Sequence, residues 1–167
     1  MNFCYIFNQL YLYLSTPELP PNRNIYYKFK YYSKKQKPNS NLLVDENYFW
    51  KNTFYFNDTK SGRKYQIRLR KSAMKCTRLI EEYHKKFNKT EWLLIHPEKH
   101  TQLTNLEMTN FMKKMTEPSG KSNSSRMLRT IYVSEVVSMM PLKQRVETCR
   151  RMDHSLVTQL TYYEKTN

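Results

Sequence analysis

The chain has 167 residues, enough for one domain around one hydrophobic core. Its 29 lysines and arginines face 14 acidic residues, and a formal charge of +15 attracts polyanions, nucleic acid before an acidic membrane surface. The three cysteines are far apart and form no CxxC pair, which argues against a zinc site and against a secreted disulfide scaffold. We therefore expect an intracellular protein.

The first elements lie on either side of a proline-rich corner. Residues 3–14 are apolar on nearly every face, which predicts a core helix ending at residues 15–17. This run is too short to span a membrane and lacks the basic start of a signal peptide, so we expect no membrane association. Pro20 and Pro21 then fix an extended corner, with Arg23 directly beyond it.

Three short runs with strand character follow, at residues 42–44, 53–56 and 65–69. Turn-forming residues between the last two runs predict a β-hairpin with Lys60 at its tip. The basic residues on the flank of this hairpin are Arg63, Lys64, Arg68 and Arg70. Two interpretations stay open here: an element that tracks DNA phosphates, or a solvated edge strand protected by its charges.

The remaining predicted elements are helical. Apolar residues three and four apart predict a helix over residues 72–87. Thr104, with Glu107 three residues later, forms a capping box for a helix running to about residue 115. Two more helices are predicted, one from Arg126 to about residue 139 and one over residues 142–151. These elements indicate an α+β fold, mainly α-helical, with a small three-stranded antiparallel sheet.

Two features of the helical part bear on chemistry. Arg126 and Arg129 are three residues apart near a helix start, so we expect both on one face, where they could hold an oxyanion beside free backbone N–H groups. Residues 119–122 read Ser-Gly-Lys-Ser but lack the first glycine and the preceding strand of a phosphate loop. His96 and His100 flank Pro97 and are expected in a loop rather than at a metal. We therefore expect no cofactor.

The last stretch of the chain places His154 nine residues before Tyr163. Nine residues allow a turn and about two helical turns, at roughly 1.5 Å rise per residue, so both side chains can reach one pocket. The alternative is a terminal amphipathic helix whose tyrosines pack on the core.

Candidate residues thus occur in one order along the chain: Arg23, Lys60, Arg126-x-x-Arg129, and His154 with Tyr163. This order resembles the tyrosine recombinase (phage integrase) family, as found in large DNA viruses and mobile elements. The residues that match the pattern best are Thr59 to Leu69 at the hairpin, Ser125 to Thr130 at the second box, Met152 to Ser155 with Tyr163 at the last, and Leu19 to Asn24 at the first arginine. Arg126 stands where the family usually has histidine, and Asp153 replaces the usual glycine before the next histidine.

The resemblance implies a site-specific DNA recombinase or integrase that cuts and rejoins strands through a 3′-phosphotyrosyl intermediate. Tyr163 would be the nucleophile, with Tyr162 as its rival one residue out of register. Arg23 and Arg129 would hold the phosphoryl oxygens, Arg126 and His154 would add donors, and Lys60 would protonate the departing 5′-oxygen.

The same resemblance implies double-stranded DNA as the partner and a homo-oligomer on that DNA, in the host cytoplasm or nucleus if the protein is viral. It covers the chain from about Leu10 and implies that residues 1–167 form a catalytic domain, and the family's amino-terminal DNA-clamping domain is not expected in this chain. Two alternatives remain: a truncated, catalytically inactive DNA-binding relative, and a single-subunit topoisomerase.

Overall fold

The computed structural model describes residues 19–21, 26–36, 38, 45–70, 74–117, 125–155 and 157. Within them the α+β class is confirmed. The strands are β1 (Lys30–Tyr31), β2 (Tyr48–Trp50), β3 (Thr53–Phe56) and β4 (Tyr65–Arg68). The helices are α1 (Met74–Lys86), α2 (Asn105–Thr116), α3 (Ser125–Glu135) and α4 (Leu142–Arg151), with 3₁₀ turns at Tyr26–Lys28 and Val137–Met139.

The described sheet has four strands in the order β1-β2-β3-β4, so the prediction of a three-stranded antiparallel sheet is wrong. β1 runs parallel to β2, whereas β2, β3 and β4 form an antiparallel meander. The predicted strand at residues 42–44 lies outside the described residues, as does the predicted helix at residues 3–14. That helices predominate over the whole chain stays a prediction.

The turn between β2 and β3 explains why β2 was missed. Trp50 pairs with Thr53, leaving a two-residue loop of Lys51 and Asn52. Both loop residues have positive φ, 44° and 63°, as a type I′ turn requires. In a sequence, such turns are usually recognised by the dipeptide Asn-Gly. In Lys-Asn, only the asparagine is a residue that favours positive φ. The Lys51 ammonium lies 4.5 Å from the centre of the ring of the preceding residue, Trp50, an attractive cation–π contact.

The main hydrophobic core lies between the sheet and α1 and is dominated by aromatic rings. Phe29 and Phe56 are fully buried, with ring centres 5.0 Å apart in an edge-on arrangement. Burying each such ring contributes about 1.5–3 kcal/mol relative to exposure. The Tyr83 hydroxyl on α1 accepts a hydrogen bond from the backbone N–H of Ile95 at 3.2 Å. That bond joins α1 to the fully buried segment before α2.

The four helical predictions that fall on the described residues are confirmed. The capping box is present: the Thr104 hydroxyl accepts from the Glu107 N–H, and the Glu107 carboxylate accepts from the Thr104 N–H. The helix predicted from Arg126 ends earlier, at Glu135, and the Val137–Met139 turn follows it. Among the described residues, no helix combines the length and apolar character needed to cross a bilayer.

A second, smaller core joins α3 to the end of α4. Tyr132 and Val133 of α3 pack with Val137 and with Met152, the residue that caps α4. The first core also reaches α3, through the half-buried Leu128. The turn after α4 is therefore held against α3 by apolar contacts, and this arrangement positions the candidate site.

Candidate nucleic-acid interface

The loop between β3 and β4, residues 57–64, is held by hydrogen bonds at its base. The side-chain oxygen of Asn47, a buried residue, accepts from the backbone N–H of Asn57 at 2.8 Å. On the opposite side of the loop, the Thr59 hydroxyl donates to the Arg63 carbonyl at 2.8 Å. These contacts satisfy buried polar groups and fix the direction in which the loop projects.

The tip of this loop contacts the end of α4. Lys60 is exposed at the tip, and the hydroxyl of the next residue, Ser61, donates to Oδ1 of Asp153. The Tyr65 hydroxyl, at the start of β4, donates to the Arg151 carbonyl at 3.1 Å. The two hydrogen bonds hold the hairpin against the last turn of α4, far away in sequence.

α4 ends in a turn that positions His154. Asp153 adopts the left-handed conformation, with φ of 53°. The His154 N–H donates to the Cys149 carbonyl at 3.1 Å, and the Asp153 N–H donates to the Arg150 carbonyl at 3.2 Å. These two bonds form a Schellman motif, in which glycine is the usual left-handed residue. Aspartate is among the few other residues that tolerate this conformation, so its presence before His154 is compatible with the turn.

Arg129 lies on α3 and is buried, with 4% of its surface exposed. Its Nη2 donates to the Met152 carbonyl at 3.2 Å, directly before the turn that carries His154. Desolvating a guanidinium is costly, so contacts of this kind are needed to keep it inside. Arg126, one turn earlier, is exposed. The two arginines that were expected to act from one face therefore differ in environment.

The junction of α3 and α4 is partly shielded from water. Burial raises the pKa of the Tyr132 phenol above its usual 10.0, although the positive charge of Arg151 acts in the opposite direction. Tyr132 lies one turn after Arg129 on α3. Because Arg129 is itself buried, its charge is less screened than the charges of surface arginines.

The structure thus brings three of the predicted site residues to one region. Arg129 meets the turn that carries His154 through Met152, and Lys60 lies one residue from the hydrogen bond between the hairpin and that turn. Arg23, Tyr162 and Tyr163 lie outside the described residues, and their predicted roles remain predictions.

A basic cleft of about 650 Å³ lies between β4 and α4. Its charged lining consists of five arginines and one carboxylate: Arg63, Arg68, Arg70, Arg150, Arg151 and Glu147. Arg63 and Arg68 are among the predicted DNA-binding residues. Lys64, also predicted, forms a salt bridge with Asp45 at 3.1 Å and is not among the residues that line the cleft.

Sequence analysis missed Arg150 and Arg151. They lie in the last turn of α4, where positive side chains are favoured by the helix dipole. An arginine pair directly before the His154 turn was a usable signal. However, the sequence of α4 alone does not indicate that the end of this helix packs beside the hairpin. The second wall of the cleft could therefore not be predicted.

Within the ranges that the structure describes, no group of three or more His, Cys, Asp or Glu residues could hold a metal ion. Comparison of the chain with protein-family models, curated proteins and solved structures found no match in any of the three. The family resemblance therefore depends on the motif residues themselves.

The left-handed turn gives a direct prediction for Asp153. Alanine is disfavoured at φ of 53°, whereas glycine is not. Both Asp153→Ala and Asp153→Gly lose the hydrogen bond from Ser61, so their difference reports the backbone alone. We expect the alanine variant to have a free energy of unfolding lower by about 1 kcal/mol than the glycine variant. Urea denaturation measures this difference, and equal stabilities would contradict a left-handed Asp153.

Proposed function

We propose that this chain is a DNA strand transferase of the tyrosine recombinase type, with Tyr163 as its nucleophile. The observation that supports this most is the hydrogen bond from Ser61 to Asp153. Through it, a hairpin lysine lies close to the turn that carries a histidine, and the buried guanidinium of Arg129 contacts the same turn. The function needs these residue types around one phosphate.

Cleaving a phosphodiester without a metal requires three things: a nucleophile, positively charged groups that contact the non-bridging oxygens, and an acid that protonates the leaving oxygen. In the proposed step, the Tyr163 phenol gives up its proton to water, its oxygen attacks phosphorus and the bond to the 5′-oxygen breaks. The Lys60 ammonium donates its proton to that oxygen, leaving a 3′-phosphotyrosine and a free 5′-hydroxyl. Attack by a 5′-hydroxyl of another strand reverses the step, so the phosphodiester is restored without a nucleotide cofactor.

The other residues stabilise the negative charge on the phosphoryl oxygens in the transition state. Arg129 presents a planar fork of donors that matches phosphoryl oxygens. Arg23, Arg126 and His154 add further donors in the proposal. Because strand exchange joins two cut duplexes, we also propose that this chain acts as a homo-oligomer on double-stranded DNA.

A second function is supported by the basic cleft between β4 and α4. Five arginines against one carboxylate can bind a phosphate backbone without any nucleophile. The chain would then be a DNA-binding module that resembles the enzymes but does not cut. Covalent chemistry at Tyr163 separates the two functions.

The nucleophile is tested with a nicked duplex in which the cleaved fragment diffuses away and traps the intermediate. We expect a protein–DNA adduct that survives SDS, with the DNA attached to Tyr163 by mass spectrometry. Tyr163→Phe should abolish the adduct, because the attacking oxygen is lost, and the matched Tyr162→Phe should retain it. Adduct on Tyr162 would reject the assignment. Salt-sensitive binding without any adduct would favour the binding module.

The acid role of Lys60 is tested with a substrate that does not need an acid. Lys60→Ala should slow cleavage of normal DNA by about 10²-fold. A sulfur atom in place of the 5′-bridging oxygen leaves readily without a proton, so the variant should then cut almost as fast as the wild type. Lys64 lies on the same hairpin but pairs with Asp45, so Lys64→Ala should slow the cleavage of either substrate much less than Lys60→Ala slows the cleavage of normal DNA. Equal slowing of both substrates by Lys60→Ala would contradict the role.

A further inference from the structure

The cleft between β4 and α4 is lined by positive charge from two separate elements. Along β4 and just beyond it, exposed and buried residues alternate: Gln66, Arg68 and Arg70 are exposed, whereas Ile67 and Leu69 are buried. Every second side chain therefore points away from the core, as the pleat of a strand dictates. The outward row carries no acidic residue.

The spacing of this row suits a regular polyanion. Side chains two residues apart on a strand are separated by about 6.6 Å. One strand of duplex DNA rises about 3.4 Å per phosphate along the axis and also winds around it, so neighbouring phosphates are farther apart than this rise, and Arg68 and Arg70 can reach two neighbouring phosphates of one strand.

α4 supplies the opposite wall. Arg150 and Arg151 occupy its last turn, and the hydrogen bond from Tyr65 to the Arg151 carbonyl sets their position relative to β4. Glu147, one turn earlier, pairs with the Arg151 Nε at 3.2 Å. The two side chains are 38% and 53% exposed, so the pair contributes little stability and the Arg151 guanidinium can exchange Glu147 for another anion.

Protection of an edge strand does not explain this arrangement. Charges on the strand itself suffice to prevent edge-to-edge pairing. Here arginines of a helix lie across from arginines of the strand, and like charges brought together in a cleft destabilise the free protein. A bound anion with several charges removes that repulsion.

We propose that the β4–α4 cleft binds a run of DNA backbone phosphates away from the reacting one, and that Glu147 limits the strength of this binding. The identity of the polymer as DNA rests on the proposed function. Glu147 acts in two ways: it repels phosphate directly, and it occupies the guanidinium of Arg151. The cleft then adds sequence-independent affinity, and Glu147 keeps the protein able to leave DNA.

The experiment measures binding to an intact fluorescent duplex by anisotropy, with Tyr163→Phe protein, so that cleavage cannot contribute. Affinity is measured over roughly 50–250 mM salt, and the logarithm of the binding constant is plotted against the logarithm of the salt concentration. Each lost phosphate contact makes this slope less steep by about 0.9. We expect that drop for Arg150→Gln and for Arg70→Gln. Glu147→Gln should raise affinity about two- to fivefold, because a repulsive charge is removed.

The matched control is Arg78→Gln, which removes the same charge from an exposed position on α1 that does not line the cleft. Its slope should stay within error of the parent. If Arg150→Gln, Arg70→Gln and Arg78→Gln change the slope equally, the charge acts only through the net field and the proposal is overturned. Tighter binding to duplex RNA of the same sequence would overturn the assignment to DNA.

Arg68→Gln provides a second variant on the strand, and thermal melting without DNA verifies that each exposed substitution leaves the fold intact. A failed proposal for the cleft is distinguishable from a failed proposal for strand transfer. If the proposal for the cleft fails, the variants leave the salt dependence of binding to intact duplex unchanged. If the proposal for strand transfer fails, no covalent adduct forms on nicked duplex, whatever the salt dependence is.

Discussion

The candidate site depends on the contact between the β3–β4 hairpin and the turn that ends α4. The two elements belong to different cores, one built on the sheet and one between α3 and α4. α3 reaches the first core through Leu128, but the hairpin tip meets the turn by polar contacts, from Ser61 to Asp153 and from Tyr65 to Arg151. Each such bond contributes about 0.5–1.5 kcal/mol, so the hairpin can separate from α4 without unpacking either core.

Local signals predicted much of the fold because they act within a few residues. The capping box at Thr104 and the hairpin that carries Lys60 follow from residues that touch their own neighbours in sequence. The parallel pairing of β1 with β2 could not be predicted. β1 has only two residues, Lys30 and Tyr31, which is too short for an alternating hydrophobic pattern, and its formation depends on partners distant in sequence. The turn of Lys51 and Asn52 was missed because tertiary contacts make it adopt φ values that its residues only weakly prefer.

The candidate site was predictable in its residue types and only partly in its geometry. Motif spacing singled out Arg129, His154 and Lys60, and the structure gathers them around one turn. Spacing did not predict that Arg129 is buried while Arg126 is exposed, which depends on how α3 packs. Nor did it predict that aspartate replaces glycine at position 153 without loss of the turn, with its carboxylate accepting the hydrogen bond from the hairpin.

The hairpin contact is tested most directly by a double-mutant cycle on Ser61 and Asp153. Ser61→Ala removes the donor, and Asp153→Gly removes the acceptor while the left-handed backbone is retained. If the two side chains bond to each other, their effects on the free energy of unfolding are coupled by at least about 0.5 kcal/mol. Effects that add to within about 0.3 kcal/mol would mean that the hairpin tip does not dock on this turn, and the hairpin that carries Lys60 would then have no link to the turn that carries His154.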